Sequence, residues 1–255
     1  MKTIDFKYLD SDKLRELIYV FSSKKHIFSN YYGIGLTNVK VFESGDNLFL
    51  LRHFDGFCRL YIIASDVEIV RSVLFIVPQN TVINIPSKTG VDIWDTLFSG
   101  SEIELLAKYH RFNYVNYRKG NKKHLDFAKI DEASVIARHL DHFFSPLTGH
   151  LPTISELTEM ISNDTVLVNR NEQGIISGAL SCQISGRKGE LTFWYDYNGN
   201  GLSLLYNAFY LCREKDVRII TFWINGENLD TMRLHEMLGA KRDGLIDYIF
   251  VKKTK

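Results

Sequence analysis

Cysteine is scarce: there are three in 255 residues. Cys58, Cys182 and Cys212 each sit inside an apolar run, and an odd, scattered set builds no disulfide framework. The expectation is buried thiols in a reducing cytoplasm, with no leader segment. No Cys-x-x-Cys and no His-Glu-x-x-His occurs, so no metal site is expected. No apolar stretch reaches the ~20 residues that span a bilayer, so no membrane partner is expected either. A surplus of charge is also missing. The formal net charge is +1, which gives nucleic acid no electrostatic foothold. The basic residues Arg118, Lys119, Lys122 and Lys123 read as a solvated linker, and Lys252, Lys253 and Lys255 as a solvated end.

What the chain does have is ordinary globular material, 45% hydrophobic and 24% charged. Its length fits one large domain or two small ones. Leu14, Leu17, Ile18 and Phe21 share one helical face behind a cap at Asp10 or Ser11. Tyr31 to Gly35 reads as a turn. Leu48–His53 and Phe57–Ile63 read as strands joined at Asp55-Gly56, a hairpin signal. Residues 67–77, 91–98 and 102–109 read as helices. Thr81–Ile85 reads as a strand stopped by Pro86, and Asn113–Tyr117 as another strand. The polar, basic segment Gly120 to Lys123 marks a boundary. Beyond it a strand is predicted over 125–130, a helix over 131–144 ended by Pro146, and a second helix opened by the capping box Thr153 to Glu156. Strands follow over 165–168 and 175–184. The element order before residue 120 repeats the order after it. That reads as either a degenerate internal repeat or an unrelated α/β domain.

The chain is organised around Gly189 to Lys252. Leu191–Tyr195 is apolar, β-branched and aromatic, and reads as a strand. Gly199 and Gly201 turn it into a helix through Leu202, Leu205 and Cys212. A strand that turns through glycines into a helix aims free amides and a positive dipole at one point, which suits phosphate. Asp216–Ile224 reads as the next strand. Asn228 caps a helix that Gly239 ends, and Gly244–Val251 is the last strand.

This order, with these residues, resembles the GNAT superfamily of N-acyltransferases. Their acyl-CoA motif, Q/R-x-x-G-x-G/A then x-x-L-L, falls on Asp196 to Leu205. Their later pattern, N-x-x-A-x-x-L-Y-x-x-x-G-F, falls on Asn228 to Ala240. The likeness covers the second half of the chain. It implies an α/β (α+β) fold, a mixed central sheet flanked by helices, in two related lobes. Residues 1–119 would form a degenerate lobe without a phosphate loop, and 120–255 the acyltransferase domain. Asp196 stands where the family has Gln or Arg, Thr231 and Ala240 where it has Ala and Phe, and His235 where it has its tyrosine.

The resemblance implies transfer of an acyl group, with acetyl as the expected case, from acetyl-CoA or another acyl-CoA to a small-molecule or peptide amine. The donor would lie along Tyr195, Tyr197, Asn198, Gly199, Asn200, Gly201, Leu202 and Asn228. His235 would protonate the leaving thiolate, as imidazolium or from a neutral N–H. Glu190, Tyr195, His142 and His150 are candidates for the base. The carboxylate of Asp196 repels a pyrophosphate, which leaves open a phosphopantetheine thioester on an acyl carrier protein, or a degenerate chain that binds acyl-CoA without turnover.

Overall fold

The computed structural model describes residues 4–31, 38–90, 94, 97–98, 100–115, 117 and 125–253. It divides into two compact units, 1–108 with 246–255, and 109–245. Sequence composition pointed to 119/120 as the boundary; the contacts divide the chain at 108/109 and return its end to the first unit. The segment Gly120 to Lys123 lies outside the described residues, as do Gly33 to Gly35 and most of the helix expected over 91–98.

The first unit holds β1 (Lys7–Tyr8), α1 (Ser11–Ser22), β2 (Phe28–Ser29), β3 (Val39–Ser44), β4 (Asn47–His53), β5 (Cys58–Ala64), α2 (Val67–Ile76) and β6 (Thr81–Ser87). Residues 246–251 of the last strand, β12 (Lys241–Lys252), pair antiparallel with β6. The sheet order is β1-β3-β4-β5-β6-β12, with β2 added to β5. Asp10 caps α1 by accepting from the Lys13 amide, and Leu14, Ile18 and Phe21 pack on one face of the sheet. Val70, Val73 and Leu74 of α2 pack on the other. The hairpin turns at Asp55-Gly56 as expected, with Gly56 at φ 77°. β6 continues through Pro86, which was expected to stop it. Pro86 lies beyond Leu60↔Ile83, where the pairing of β6 with β5 ends, so its missing N–H breaks no bond to β5.

The segment expected as a helix over 102–109 is instead the start of β7 (Ile103–Tyr114), which also takes in the strand expected at Asn113. Glu, Leu, Leu, Ala and Lys are good helix formers, but pairing into a sheet overrides so weak a preference.

The second unit continues with a 3-10 turn (Ile130–Glu132), α3 (Ala133–Phe143), α4 (Ile154–Ser162), β8 (Val166–Arg170), β9 (Ile176–Ser185), β10 (Lys188–Asp196), α5 (Gly201–Glu214), β11 (Ile219–Asn225) and α6 (Leu229–Met237). Residues 109–114 of β7 pair antiparallel with β11, giving the order β8-β9-β10-β11-β7. The strand expected over 125–130 is reduced to one bridge, Phe127↔Leu167. The Thr153–Glu156 capping box forms as expected. Leu204, Leu205, Ala208, Phe209 and Cys212 of α5 pack on one face of this sheet. Ile136 and Leu140 of α3, with Leu157 and Ile161 of α4, pack on the other. All three cysteines are buried free thiols.

Lys252 is not a solvated end. It is 8% exposed, and its Nζ donates to the carbonyls of Leu74 (3.1 Å), Phe75 (2.7 Å) and Val77 (2.9 Å). These carbonyls at the end of α2 have no intrahelical partner, and the ammonium satisfies three of them at the negative end of the dipole. Lys252→Met keeps the stem and removes the donors. It is expected to cost about 2–3 kcal/mol in urea unfolding, the usual cost of orphaned buried acceptors of a charged donor. A loss within experimental error would show that water serves α2 equally well.

Candidate active site

In each unit a hairpin is followed by a helix that crosses to a parallel strand: β4-β5-α2-β6, and β9-β10-α5-β11. In each the parallel pair zips only part of the way. β10 and β11 are in register from Lys188↔Ile219 to Leu191↔Phe222, and β5 and β6 from Cys58↔Thr81 to Leu60↔Ile83. Beyond those points the two strands of each pair separate.

The two gaps differ. In the first unit the Asn30 side chain bridges it. Its Nδ2 donates to the carbonyls of Leu60 (3.1 Å) on β5 and Asn84 (2.8 Å) on β6, and its Oδ1 accepts from the Ile62 amide (2.6 Å). β2 is zipped onto the far end of β5 at Phe28↔Ala64 and Ser29↔Ile63. In the second unit, among the described residues, no strand pairs with the β11-facing edge of β10 beyond Leu191. That edge keeps backbone donors and acceptors for a guest.

A bulge in β10, between Leu191 and Phe193, sets the chemistry of this gap. It adds one residue, so the side chains after it change faces. Leu191 packs on the α5 side, yet Phe193 and Tyr195 pack on the α3 side. Trp194 is thereby turned toward α5, and its indole lies 3.0 Å from where a Cβ on Gly201 would stand. A side chain at 201 would press on the indole, which would have to give by a few tenths of an ångström. Trp194 Nε1 is buried without a partner.

Glu190 stands one residue before the last registered pair, opposite Thr221. It is solvent-accessible, but surrounding protein desolvates its carboxyl and holds it above the ordinary carboxylate range; Arg111 opposes the shift. Arg111 is fixed by Asp243, with Nε 2.7 Å from Oδ2, and Asn113 donates to the same oxygen. Pattern reading had missed Arg111, whose only signal is its place on β7 opposite Trp223.

The structure scatters the other expected site residues. Tyr195 is buried on the α3 side, its hydroxyl 3.0 Å from His139 Nδ1 and held well above the ordinary tyrosine value by burial. Tyr197 is exposed against Phe143 and His142. Asn228 spends its side chain capping α6, accepting from the Thr231 amide at 3.1 Å. Leu202 is exposed and Gly199 takes a φ of 72°. The amides of Asn198 and Asn200 are engaged: Asp196 Oδ2 accepts from both, at 3.0 and 2.7 Å.

His235 is 2% exposed. Its ring centre lies 4.4 Å from that of Phe222 and 5.4 Å from that of Trp194, and Nδ1 is 2.7 Å from the Tyr114 hydroxyl. Desolvation lowers its pKa to about 4, so burial disfavours the imidazolium that would carry a proton to the thiolate.

The element order of the second unit, with its open gap beside a glycine-turned helix, is that of the GNAT fold. The chain is similar over 99% of its length to a GNAT-family acetyltransferase from Colwellia psychrerythraea, with TM-score 0.59, 10% identity and 100% of that chain covered. It is also similar to a tandem GNAT protein from the clavulanic acid biosynthesis pathway, with TM-score 0.57, 10% identity and 97% of each chain covered. A GCN5-related N-acetyltransferase from Sphaerobacter thermophilus aligns with TM-score 0.58 and 11% identity, over 87% of this chain and 82% of that one. No protein-family model matches the chain, and no curated protein matches it significantly in sequence.

Proposed function

We propose that the chain is an N-acyltransferase whose second unit takes an acyl thioester of pantetheine, acetyl-CoA being the reference donor, and passes the acyl group to an amine. The observation that carries this reading is the gap between β10 and β11 beyond Leu191↔Phe222. A pantetheine arm is a chain of amides, and it can add to the free edge of β10 as a strand would. The bound thioester carbonyl would then lie near the bulge. Glu190 takes a proton from the acceptor's ammonium, and the neutral amine so formed attacks the thioester carbonyl; a carboxyl held above the ordinary range is the better base for this. The tetrahedral intermediate collapses with loss of the thiolate; the nitrogen sheds its extra proton to solvent and the thiolate takes one from solvent, since His235 is neutral and enclosed.

The first unit is a scaffold in this reading. Asn30 and β2 already use the backbone groups that a donor would need. With saturating acetyl thioester, the melting temperature should rise by mass action, and thiol release should depend on added amine. A folded sample that shows neither shift nor amine-dependent thiol release, across acetyl-CoA and S-acetylpantetheine, would end the proposal.

A further inference from the structure

Where a donor's pyrophosphate would meet the start of α5, the protein supplies its own anion. Asp196 Oδ2 takes the amides of Asn198 and Asn200. Oδ1 is buried and has no partner. It lies against Gly178, where an added Cβ would stand 2.5 Å from it. The carboxylate is thus seated in a cradle that a side chain at 178 would fill, with two donors holding one oxygen. At the head of the first unit's crossover helix Asp66 is instead the N-cap itself, its Oδ1 taking the amides of Glu68 (2.8 Å) and Ile69 (3.5 Å) of the first turn. From Gly189 to Cys212 the sequence contains no Lys and no Arg. Nothing on this stretch offsets the carboxylate when a second anion arrives.

We propose that Asp196 denies the second unit a grip on pyrophosphate, so that it takes thioester donors that present none, such as a pantetheine or phosphopantetheine arm, as readily as free acyl-CoA. This rests on the acyltransferase reading above. An amide N–H has one proton to give, and those of Asn198 and Asn200 are already given to a charged acceptor. A pyrophosphate must displace that carboxylate or sit beside it, and like charges sharing one site disfavour each other. The donor is then held by the strand gap, and its nucleotide adds little.

The test is calorimetry on the full chain with acetyl-CoA, S-acetyl-4′-phosphopantetheine and S-acetylpantetheine. For the wild type, the three dissociation constants should agree within about threefold, because two of the loop's amides are already given and the carboxylate repels a phosphate brought to the others. Asp196→Asn keeps an acceptor for the two amides and removes the charge. It should tighten acetyl-CoA by about tenfold or more while leaving S-acetylpantetheine within about twofold. If wild type binds acetyl-CoA more than about threefold tighter than S-acetylpantetheine, the nucleotide is gripped and the proposal is overturned, with the acyltransferase reading intact. That comparison needs no variant, so it stands even where Asp196→Asn misfolds. An acetyl-CoA affinity that does not respond in folded Asp196→Asn overturns it as well. Failure of both chains to bind any of the three thioesters removes the acyltransferase reading and this inference together.

Discussion

Glu190→Gln is expected to lower kcat for amine acylation by roughly 10²–10⁴-fold, the range lost with a positioned general base. Thioester affinity should barely move, because Glu190 lies on the paired part of β10 and the donor gap opens after Leu191. The pH profile carries a second signature. The surrounding protein desolvates the Glu190 carboxyl although the residue is solvent-accessible, so its base form is lost as pH falls through a value above the usual carboxylate range. The wild-type rate should therefore decline on the acid side earlier than an ordinary glutamate would dictate, and that limb should vanish in Glu190→Gln. Arg111 works against the rise. Arg111→Met should accordingly move the acid limb to higher pH while kcat on the plateau is retained. A Glu190→Gln enzyme with unchanged kcat, where chemistry limits turnover, would pass the proton transfer to water or to another group on this face.

The parts of the molecule that local chemistry dictates were legible in the sequence. Asn228 caps α6, Gly239 ends it at φ 94°, and Gly201 opens α5, because a cap or a turn depends on residues within a few positions. Long-range features were not. Ile103 to Tyr109 has a helical composition and becomes a strand because β11 pairs with its continuation. Asn30 reads as one more polar loop residue. Its partners lie 30, 32 and 54 positions away, and nothing near it signals that it bridges two strands. The bulge after Leu191 is equally silent in the sequence, yet it decides that Trp194 faces α5 and Tyr195 faces α3. Asp196 was half legible. A carboxylate in a phosphate loop is visible as a departure, but only coordinates show that it bonds the loop's own amides. His235 shows the reverse limit: a motif position implied a reactive acid, while three surrounding rings make it part of the core.

His235 should govern how the second unit responds to acid. In the folded chain its pKa is about 4, against 6.5 when exposed, and the cause is loss of hydration inside a ring of aromatic side chains. Between these values the unfolded chain holds a proton that the folded chain refuses. Stability therefore falls as pH drops from above 6.5 toward 4, and the full difference is about 3 kcal/mol. Asp247 in the first unit acts with the opposite sign. Burial raises its carboxyl to about 6, so the folded chain binds that proton first and gains relative stability in much the same window. The wild-type profile is a difference of the two, and single substitutions separate them. His235→Gln keeps a polar partner for the Tyr114 hydroxyl and cannot titrate. It should be less stable than wild type at pH 7.5, because a shorter, non-aromatic side chain leaves space beside Phe222 and Trp194. Between pH 6.5 and 4.5 it should lose much less stability than wild type does, as urea midpoints will show. For the same variant, folded at pH 7.5, kcat should stay within about threefold of wild type, well short of the loss that follows removal of a positioned acid. Parallel wild-type and variant stability curves would mean that the imidazole is hydrated and titrates normally. A loss of two orders of magnitude in kcat for folded His235→Gln would restore this side chain to the chemistry, acting through its neutral N–H.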